Sequence, residues 1–450
     1  MIVILHGWSD SEESFRPLAR WLTGQDLDTP IQEIRLGDYL TLDDDVTFAD
    51  LTAALERAWD DVGLSRQARS VDVIVHSTGA LVIRDWMSGL QGDNPVRRLL
   101  MLAPANFGSP LARLGSSMIG RVFKGFRSER RFHTGTRILK GLEMASPYSV
   151  GLAAKDLFGN RSVFAAGGVL CTVLVGVEGY KGIRAVANKP GTDGTVYIAT
   201  ANLNAARLTV DFAADPQQPV YRLTRSNGRA AFARVPGHNH TTITLSEGAD
   251  DEYLTALIRS ALTVTDQTFA AHCARLEAAD AQVPPGAGAA AGGGGGPRRL
   301  QNTVLHVHDD VDADVDDFFL ELFVKKAPGS RSEWEAATTR VQEKVITTAH
   351  VYSGNPAYRS LLIDCVELGR TLQTYPGTLC MALTAQPDIA ETGSVGYRTF
   401  GWNDLDSVKL DTRATERMFT PDRTLLVELK IRREQEADVF RLKTLGRSRR

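Results

Sequence analysis

Ser77 could act as a nucleophile, because it occupies a sharp turn between a predicted strand and a predicted helix. Residues 71–75 are rich in β-branched side chains, and residues 80–83 are apolar and continue as a helix. A serine at the tip of such a strand–turn–helix is the nucleophile-elbow arrangement, in which the helix N-terminus faces developing negative charge. The usual pattern is Gly-x-Ser-x-Gly. Gly79 keeps the second glycine, whereas Val75 replaces the first.

A serine hydroxyl needs a base, an acid that orients the base, and donors for the oxyanion. In a sheet with this kind of elbow, the acid and then the base follow the serine along the chain. We favour His240 as the base, because it stands where a loop re-enters regular structure, and His238 is the alternative. We favour Asp193 as the acid, since its Gly-Thr-Asp-Gly turn could present a carboxylate at a sheet edge, and Asp211 is the alternative.

A purely structural, non-catalytic interpretation of the same residues stays open at this point. Both histidines could be ordinary surface residues of a loop, and an Asp-Gly pair is often only a turn. The oxyanion donors are predicted to be backbone amides. One is that of Thr78, directly after the serine, and the other is that of Trp8, where Gly7 permits a close backbone approach.

Alternating strands and helices must position these residues. Apolar runs at residues 1–8, 71–75, 99–103, 169–175 and 195–199 predict strands, with a further candidate at 208–212. Helical spacing at residues 11–22, 48–62 and 252–261, extending to about 281, separates them. This rhythm predicts βαβ units around a parallel sheet, which is an α/β fold.

Residues 104–165 interrupt that rhythm with a basic insertion. Between Ala112 and Lys140 there are eight basic residues and one acid, Glu129, with apolar residues between them at roughly helical spacing. The insertion, at about residues 108–160, could be a helical lid that touches an anionic lipid surface, or a solvated pair of surface helices. A nucleic-acid patch is a weaker interpretation, because no aromatic stacking pattern accompanies the charges.

A second domain is predicted after a flexible tether. Residues 284–297 are a glycine-alanine run flanked by prolines, which cannot bury a core. We therefore expect a catalytic domain at residues 1–282, a linker at 283–299 and a β-rich domain at 300–450. About seven short β-rich runs with turn signals between them predict an antiparallel, sandwich-like architecture. Its expected role is to position the chain on a membrane, a protein partner or a substrate.

Metal and cofactor signals are weak, and we predict neither. The four cysteines show no C-x-x-C spacing. Asp310, Asp312, Asp314, Asp316 and Glu321 have calcium-loop spacing, but Val315 stands where that loop needs glycine. Alternation of aspartate with small apolar residues is also typical of a strand with one wet face.

Charge and hydropathy narrow the function classes. A net charge of −3 argues against a dedicated nucleic-acid binder. The sequence shows neither a cleavable signal peptide nor the ~18 consecutive apolar residues that a membrane-spanning helix needs. We expect a cytoplasmic protein, and secretion as an effector would require a leaderless route.

Five segments together resemble a known family. ILHGW, VIVHSTGALV, LMLAPANFGSPLA, GTDGTV and GHNHTTIT, in this order, are similar to α/β-hydrolases of the lipase and esterase group, in the branch of GPI inositol-deacylase-like and lecithin:cholesterol acyltransferase-like enzymes. The resemblance covers about residues 1–260. It implies an α/β-hydrolase fold with Ser77 as nucleophile, Asp193 as acid and His240 as base.

The function that this resemblance implies is hydrolysis of lipid or phospholipid esters through an acyl-enzyme. A lipid acyltransferase would use the same residues and transfer the acyl group to an alcohol. A non-catalytic interaction protein, in which Val75 has spoiled the elbow, is the alternative from another class.

Overall fold

The computed structural model describes residues 1–6, 15–25, 29–39, 45–112, 135–214, 219–248, 250–284, 298–325, 330–398 and 412–435. Its strands, in chain order, are β1 (Ile2–His6), β2 (Ile31–Arg35), β3 (Val71–His76), β4 (Val96–Leu102), β5 (Leu170–Gly176), β6 (Ala206–Asp211), β7 (Val220–Arg225), β8 (Ala231–Val235), β9 (Leu300–Asp309), β10 (Phe318–Lys325), β11 (Ile346–Val351), β12 (Tyr358–Asp364), β13 (Thr378–Ala385), β14 (Val395–Tyr397), β15 (Thr424–Ile431) and β16 (Arg433–Gln435).

The α-helices lie between these strands. In chain order they are α1 (Arg16–Thr23), α2 (Phe48–Asp61), α3 (Gly79–Gly89), α4 (Thr136–Leu142), α5 (Pro147–Asp156), α6 (Ile198–Ala201), α7 (Glu252–Thr263), α8 (Asp266–Ala281), α9 (Arg331–Arg340), α10 (Cys365–Thr374), α11 (Ile389–Thr392) and α12 (Thr412–Met418). Short 3-10 turns cover Leu36–Asp38, Gly182–Ala187 and Thr242–Thr244, and a π-helical turn covers Val341–Val345.

The first sheet carries the elbow. Its six strands have the order β2-β1-β3-β4-β5-β8, and every neighbouring pair is parallel. The strands β1, β3 and β5 are buried along their whole length. Burial on both faces explains why these strands appear in the sequence as nearly continuous apolar runs.

Helices cover both faces of this sheet. Alternate strand residues such as Val73 and Val75 pack in one core with α2 and α3, whereas Ile74 and Leu174 pack in another with α1, α7 and α8. Such alternation follows from the two-residue period of a strand. The predicted α/β architecture of the N-terminal part, a parallel sheet with helices on both faces, is therefore confirmed.

The second sheet is mixed and draws strands from both sides of the predicted linker. Its order is β11-β12-β9-β15-β6-β7. Pairings of β15 with β9 and β6 are parallel, whereas the pairings of β11 with β12, β12 with β9 and β6 with β7 are antiparallel. A mainly-β second unit is thus confirmed. The expected all-antiparallel pairing is wrong, because β15 lies parallel to both of its neighbours, β9 and β6, and β6 comes from before the predicted linker.

The second sheet is covered on both faces. One face forms a core with the antiparallel pair of strands β10 and β13, and Val304 and Leu426 on the other face join the core of the first sheet. The helices α9 and α10 lie in the chain after the predicted linker, and the sequence did not predict them. The division at residues 283–299 remains a prediction, and residues 285–297 lie outside the described residues.

Residues 195–199 were predicted to form a strand, and this is wrong. The segment makes a turn and then the short helix α6. It is apolar because Tyr197 packs with Met144, Leu300 and Leu362 between the two sheets. In the predicted insertion, α4 and α5 are helical as expected, while residues 113–134 lie outside the described residues. Within the described residues, no helix is long and apolar enough to cross a membrane.

A buried ion pair fixes the elbow helix. Arg84 on α3 is fully buried and donates to both carboxylate oxygens of Asp156 at the end of α5, at 2.7 and 3.0 Å. The same guanidinium donates to the backbone and side-chain oxygens of Asn106 in the loop after β4. Arg84 therefore joins three segments around the elbow.

Loss of the carboxylate from this pair should destabilise the fold strongly. Asp156→Asn leaves the guanidinium buried without its counter-charge, so we expect the free energy of unfolding to fall by about 3–5 kcal/mol. Urea unfolding followed by circular dichroism measures it. The control is Lys155→Ala, because Lys155 is largely exposed beside Asp85 and should cost less than about 1 kcal/mol. Equal losses in the two variants would contradict the anchoring role.

Candidate active site

Ser77 has the backbone geometry of an elbow. Its φ of +51° lies in the left-handed region, which is uncommon for a residue other than glycine. The Ser77 amide donates to the Leu102 carbonyl at 3.2 Å, and the Ser77 carbonyl accepts from Ala105 at 3.2 Å. These bonds to β4 and its following loop hold the serine at the junction of β3 and α3, where the strain of the turn is compensated by fixed neighbours.

Val75 fits into this elbow as part of the core. It is fully buried, pairs with Leu5 of β1 and Met101 of β4, and belongs to the same core cluster as Ala80 and Leu81 on α3. The side chain thus packs among neighbours on the α3 side of the sheet. The replacement of the first glycine by valine coexists with the positive φ at the serine.

The structure brings the three predicted polar residues together. His240 Nε2 lies 3.1 Å from Ser77 Oγ, and His240 Nδ1 lies 2.9 Å from Asp193 Oδ2. A carboxylate can only accept, so Nδ1 carries the proton and Nε2 is left to accept from the serine hydroxyl. This is the arrangement in which an imidazole can take the proton of an attacking serine.

The Asp193 carboxylate is fully buried and is held by its own loop. Its Oδ1 accepts from the amides of Thr195 at 2.9 Å and Val196 at 2.8 Å. In addition, the His240 amide donates to the Asp193 carbonyl at 2.9 Å, so acid and base are joined by backbone as well as by side chain. Amide donors compensate the burial of the charge and fix the direction of Oδ2.

Tyr180 lines the acid side of the site. Its hydroxyl and Thr195 Oγ1 are 2.8 Å apart, and burial together with the charge of Asp193 raises the pKa of this phenol. Tyr180 also lies against Gly194, whose φ is +97° and where a Cβ would come within 2.7 Å of the ring. Gly194 is therefore required for the turn that presents Asp193.

His76 contacts His240, the predicted base, and the sequence interpretation missed this contact. Its Nε2 donates to the His240 carbonyl at 2.9 Å, and the two rings are 4.7 Å apart. Phe15 on the other side of His76 makes an edge contact at 5.7 Å between ring centroids. The available signal in the sequence was that His76 directly precedes Ser77. A histidine at the end of a strand has no sequence pattern that predicts which residue its side chain contacts.

The alternative residues lie in other environments. His238 Nε2 contacts Asp251 Oδ2 at 2.7 Å, at the N-cap of α7. Burial would raise the pKa of Asp251, but hydrogen bonds from His238 and from two α7 amides outweigh it and lower the pKa. Asp211 ends β6 in the second sheet and accepts from the Ala213 amide.

Of the two predicted oxyanion donors, the structure describes Thr78. Thr78 is the N-cap residue of α3, so its amide lies at the positive end of that helix, directly after the serine. Trp8 lies outside the described residues.

Asp314, in the acidic run after β9, contacts side chains of the second sheet and the turn beside it. Asp314 contacts His306 Nε2 at 2.7 Å and accepts from Asn355 at 2.6 Å. Among the described residues, no group of three or more His, Cys, Asp or Glu side chains is arranged to hold a metal ion.

Comparison with solved structures shows the same fold in another protein. Phospholipase PlaB from Legionella pneumophila matches with a TM-score of 0.79 and 22% identity, over 100% of this chain and 97% of the PlaB chain. PlaB in complex with thio-NAD matches with the same values. The likeness spans both sheets, so the chain shares the whole PlaB architecture, including the second domain.

Lipase BlEst2 from Bacillus licheniformis, in its mature form, matches with a TM-score of 0.36 and 16% identity, over 58% of this chain and 91% of that one. No protein-family model matches the chain, and no curated protein matches it. The α/β-hydrolase fold is thus established from the sheet order together with the PlaB likeness.

The two loop histidines can be separated by the reactivity of Ser77. A fluorophosphonate labels only an activated serine, so His240→Ala should slow labelling by about 10²- to 10⁴-fold. His238→Ala is the matched control and should label at nearly the wild-type rate, because it loses only the contact with Asp251. Rates come from time-resolved mass spectrometry of the labelled peptide. The reverse order of the two variants would make His238 the base.

Proposed function

We propose that the chain is a serine carboxylic-ester hydrolase that acts on lipid esters. The observation that carries the proposal is the Ser77–His240–Asp193 contact series, at 3.1 and 2.9 Å, on an elbow with a positive φ at the serine. The fold supports it, because a phospholipase, PlaB, shares the architecture over the whole chain.

The geometry suggests a two-step reaction. Ser77 Oγ attacks the ester carbonyl carbon while His240 Nε2 takes the hydroxyl proton, and the carbonyl oxygen becomes an oxyanion facing the Thr78 amide. The intermediate then collapses. The bond to the alcohol breaks, His240 gives its proton to the leaving alkoxide, and Ser77 keeps the acyl group.

In the second step, water hydrolyses the acyl-enzyme. His240 takes a proton from water, the hydroxide attacks the acyl carbon, and the released serine oxygen recovers the proton as the fatty acid leaves. Asp193 accepts the Nδ1 hydrogen bond throughout and holds the imidazole in the tautomer that both steps require. In this scheme the Trp8 amide would be the second oxyanion donor.

The preference for lipid rests on the basic insertion and on the sequence resemblance. Residues 112–140 combine eight basic residues with apolar ones at helical spacing, a composition suited to an anionic lipid surface. The finer assignment to the GPI inositol-deacylase-like and lecithin:cholesterol acyltransferase-like branch is inferred from the five sequence segments alone.

Removal of the nucleophile or the acid tests the chemistry. Against p-nitrophenyl esters and phospholipids, Ser77→Ala should lose turnover. Asp193→Asn should lower kcat by about 10⁴-fold with little change in KM, because the amide favours the wrong imidazole tautomer. The control is Asp211→Asn, which should keep wild-type kinetics. Turnover by Ser77→Ala equal to that of wild type would overturn the proposal.

Products analysed with an added alcohol acceptor separate hydrolysis from acyl transfer.

Removal of charge from the insertion tests the lipid surface. Each basic side chain near an anionic membrane contributes about 1 kcal/mol, so the pair Arg121→Gln and Lys124→Gln should weaken binding to phosphatidylserine-containing vesicles by about 30-fold. The matched control, Arg222→Gln with Arg225→Gln, removes the same charge from β7. Sedimentation with vesicles measures binding. Equal loss in both double variants would argue for a general charge effect instead of a lipid-facing insertion.

A further inference from the structure

The acid loop, residues 191–201, contains little regular structure and is held by the second sheet. Thr424 Oγ1 on β15 donates to the Ala199 carbonyl at 3.0 Å. Leu300 of β9 packs against Tyr197 and lies so close to Gly191 that a Cβ there would come within 2.9 Å of its side chain. The loop that presents Asp193 is therefore shaped against strands of the second domain.

A buried carboxylate makes a second connection between the two domains. Glu143, between α4 and α5, is only 3% exposed and accepts from His350 Nε2 at 2.9 Å. It also accepts from the Ser353 amide at 3.0 Å and from the Ser353 hydroxyl at 2.5 Å. His350 lies on β11 and Ser353 follows this strand, so all three donors come from the second domain.

Glu143 is charged at neutral pH. Burial alone would raise the pKa of this carboxyl, but the hydrogen bonds from His350 and Ser353 outweigh burial and lower the pKa below its usual range. A buried, ionised carboxylate depends on its donors, because each one that is removed leaves charge without compensation.

Glu143 is connected to the acid of the site through Ser109. The two residues form a parallel β-bridge, and the Ser109 amide donates to the Leu142 carbonyl at 2.8 Å. The Ser109 hydroxyl donates to the Thr195 carbonyl at 2.7 Å, and the Thr195 amide donates to Asp193 Oδ1 at 2.9 Å. A continuous series of contacts thus runs from His350 to the carboxylate that orients His240.

The same bridge joins the two ends of the basic insertion. Ser109 precedes residues 113–134, and Glu143 follows them after α4. Gly108, at a φ of +94°, allows the close approach, since a Cβ there would come within 2.9 Å of the Leu142 and Glu143 carbonyls. Displacement of Glu143 would therefore disturb the acid loop and the base of the insertion together.

We propose that Glu143 and His350 are positioning residues for the Ser77–His240–Asp193 site, through which the second domain holds the acid loop in its reactive geometry. Neither residue touches the reacting atoms. The inference rests on the proposed hydrolase function for its kinetic consequence, while its structural consequence is independent of activity. In this proposal, residues of the second domain help to set the geometry of the site.

The test compares variants of the same strand in the full chain. His350→Ala removes the donor to Glu143, whereas His350→Gln offers an amide N–H in its place and should rescue. Val351→Ala is the matched control, because the next residue on β11 is 44% exposed and makes no part of this contact series. Hydrogen exchange measured by mass spectrometry reports the acid loop, and p-nitrophenyl butyrate, a short soluble ester, reports turnover without a lipid surface.

We expect His350→Ala to speed amide exchange in residues 193–197 and to lower kcat by about 10- to 100-fold with little change in KM, as a displaced orienting group would. His350→Gln and Val351→Ala should stay near wild type. Glu143→Gln combined with His350→Ala should cost less than the sum of the two single variants, because the two residues share one contact.

The outcomes separate this inference from the proposed function. Unchanged exchange and unchanged kcat in His350→Ala would overturn the inference while the hydrolase stands. A wild-type protein that neither labels nor hydrolyses would overturn the hydrolase, and faster loop exchange in His350→Ala would still support the positioning role. If His350→Ala does not fold, Ser353→Ala replaces it, since it removes one donor and keeps the backbone N–H. Unchanged exchange and kcat in that variant would then overturn the inference.

Discussion

A buried carboxylate without solvent contact is the constraint on which the site depends. Asp193 has no exposed surface, so its charge must be balanced by hydrogen bonds from the protein. The amides of Thr195 and Val196 and the imidazole of His240 supply them. These donors are directed correctly only if the irregular loop around Asp193 keeps one conformation.

The second sheet meets this requirement by its topology. Because β6 and β7 precede the predicted linker and pair beside β15, the sheet is continuous with the N-terminal part of the chain through backbone hydrogen bonds. The acid loop lies between β5 and β6 along the chain, and its contacts with Leu300 and Thr424 come from the same sheet. The second domain is thus built around the loop that follows the first sheet, and PlaB shares this architecture over its whole chain.

The elbow depends on a different kind of support. Ser77 takes a left-handed φ although it has a side chain, and bonds to Leu102 and Ala105 hold it there. Arg84, within α3, ties that helix to Asp156 and Asn106. Val75 stands where the usual motif has glycine. Its side chain packs in the core with residues of α3. A motif defined by small residues is therefore tolerant of a larger one when the neighbouring core leaves space for it.

The sequence by itself determined the parallel sheet, and it predicted Ser77, Asp193 and His240 as nucleophile, acid and base. Its strands are nearly continuous apolar runs, and turn residues such as Gly194 mark where the chain reverses, so local chemistry suffices to find them. It misjudged residues 195–199, because a buried loop that packs between two sheets is as apolar as a strand. It could not identify the contacts of His76, Glu143 and His350, which join residues 164 and 207 positions apart.

Only the tertiary structure decided which strands share a sheet and which groups hold the acid loop. Local sequence reports burial and backbone preference, but the pairing of β6 with β15 joins segments more than two hundred residues apart and leaves no local pattern. The same holds for the distance between Ser77 and His240, since the sequence orders these residues and the folded sheet alone brings the two atoms to 3.1 Å.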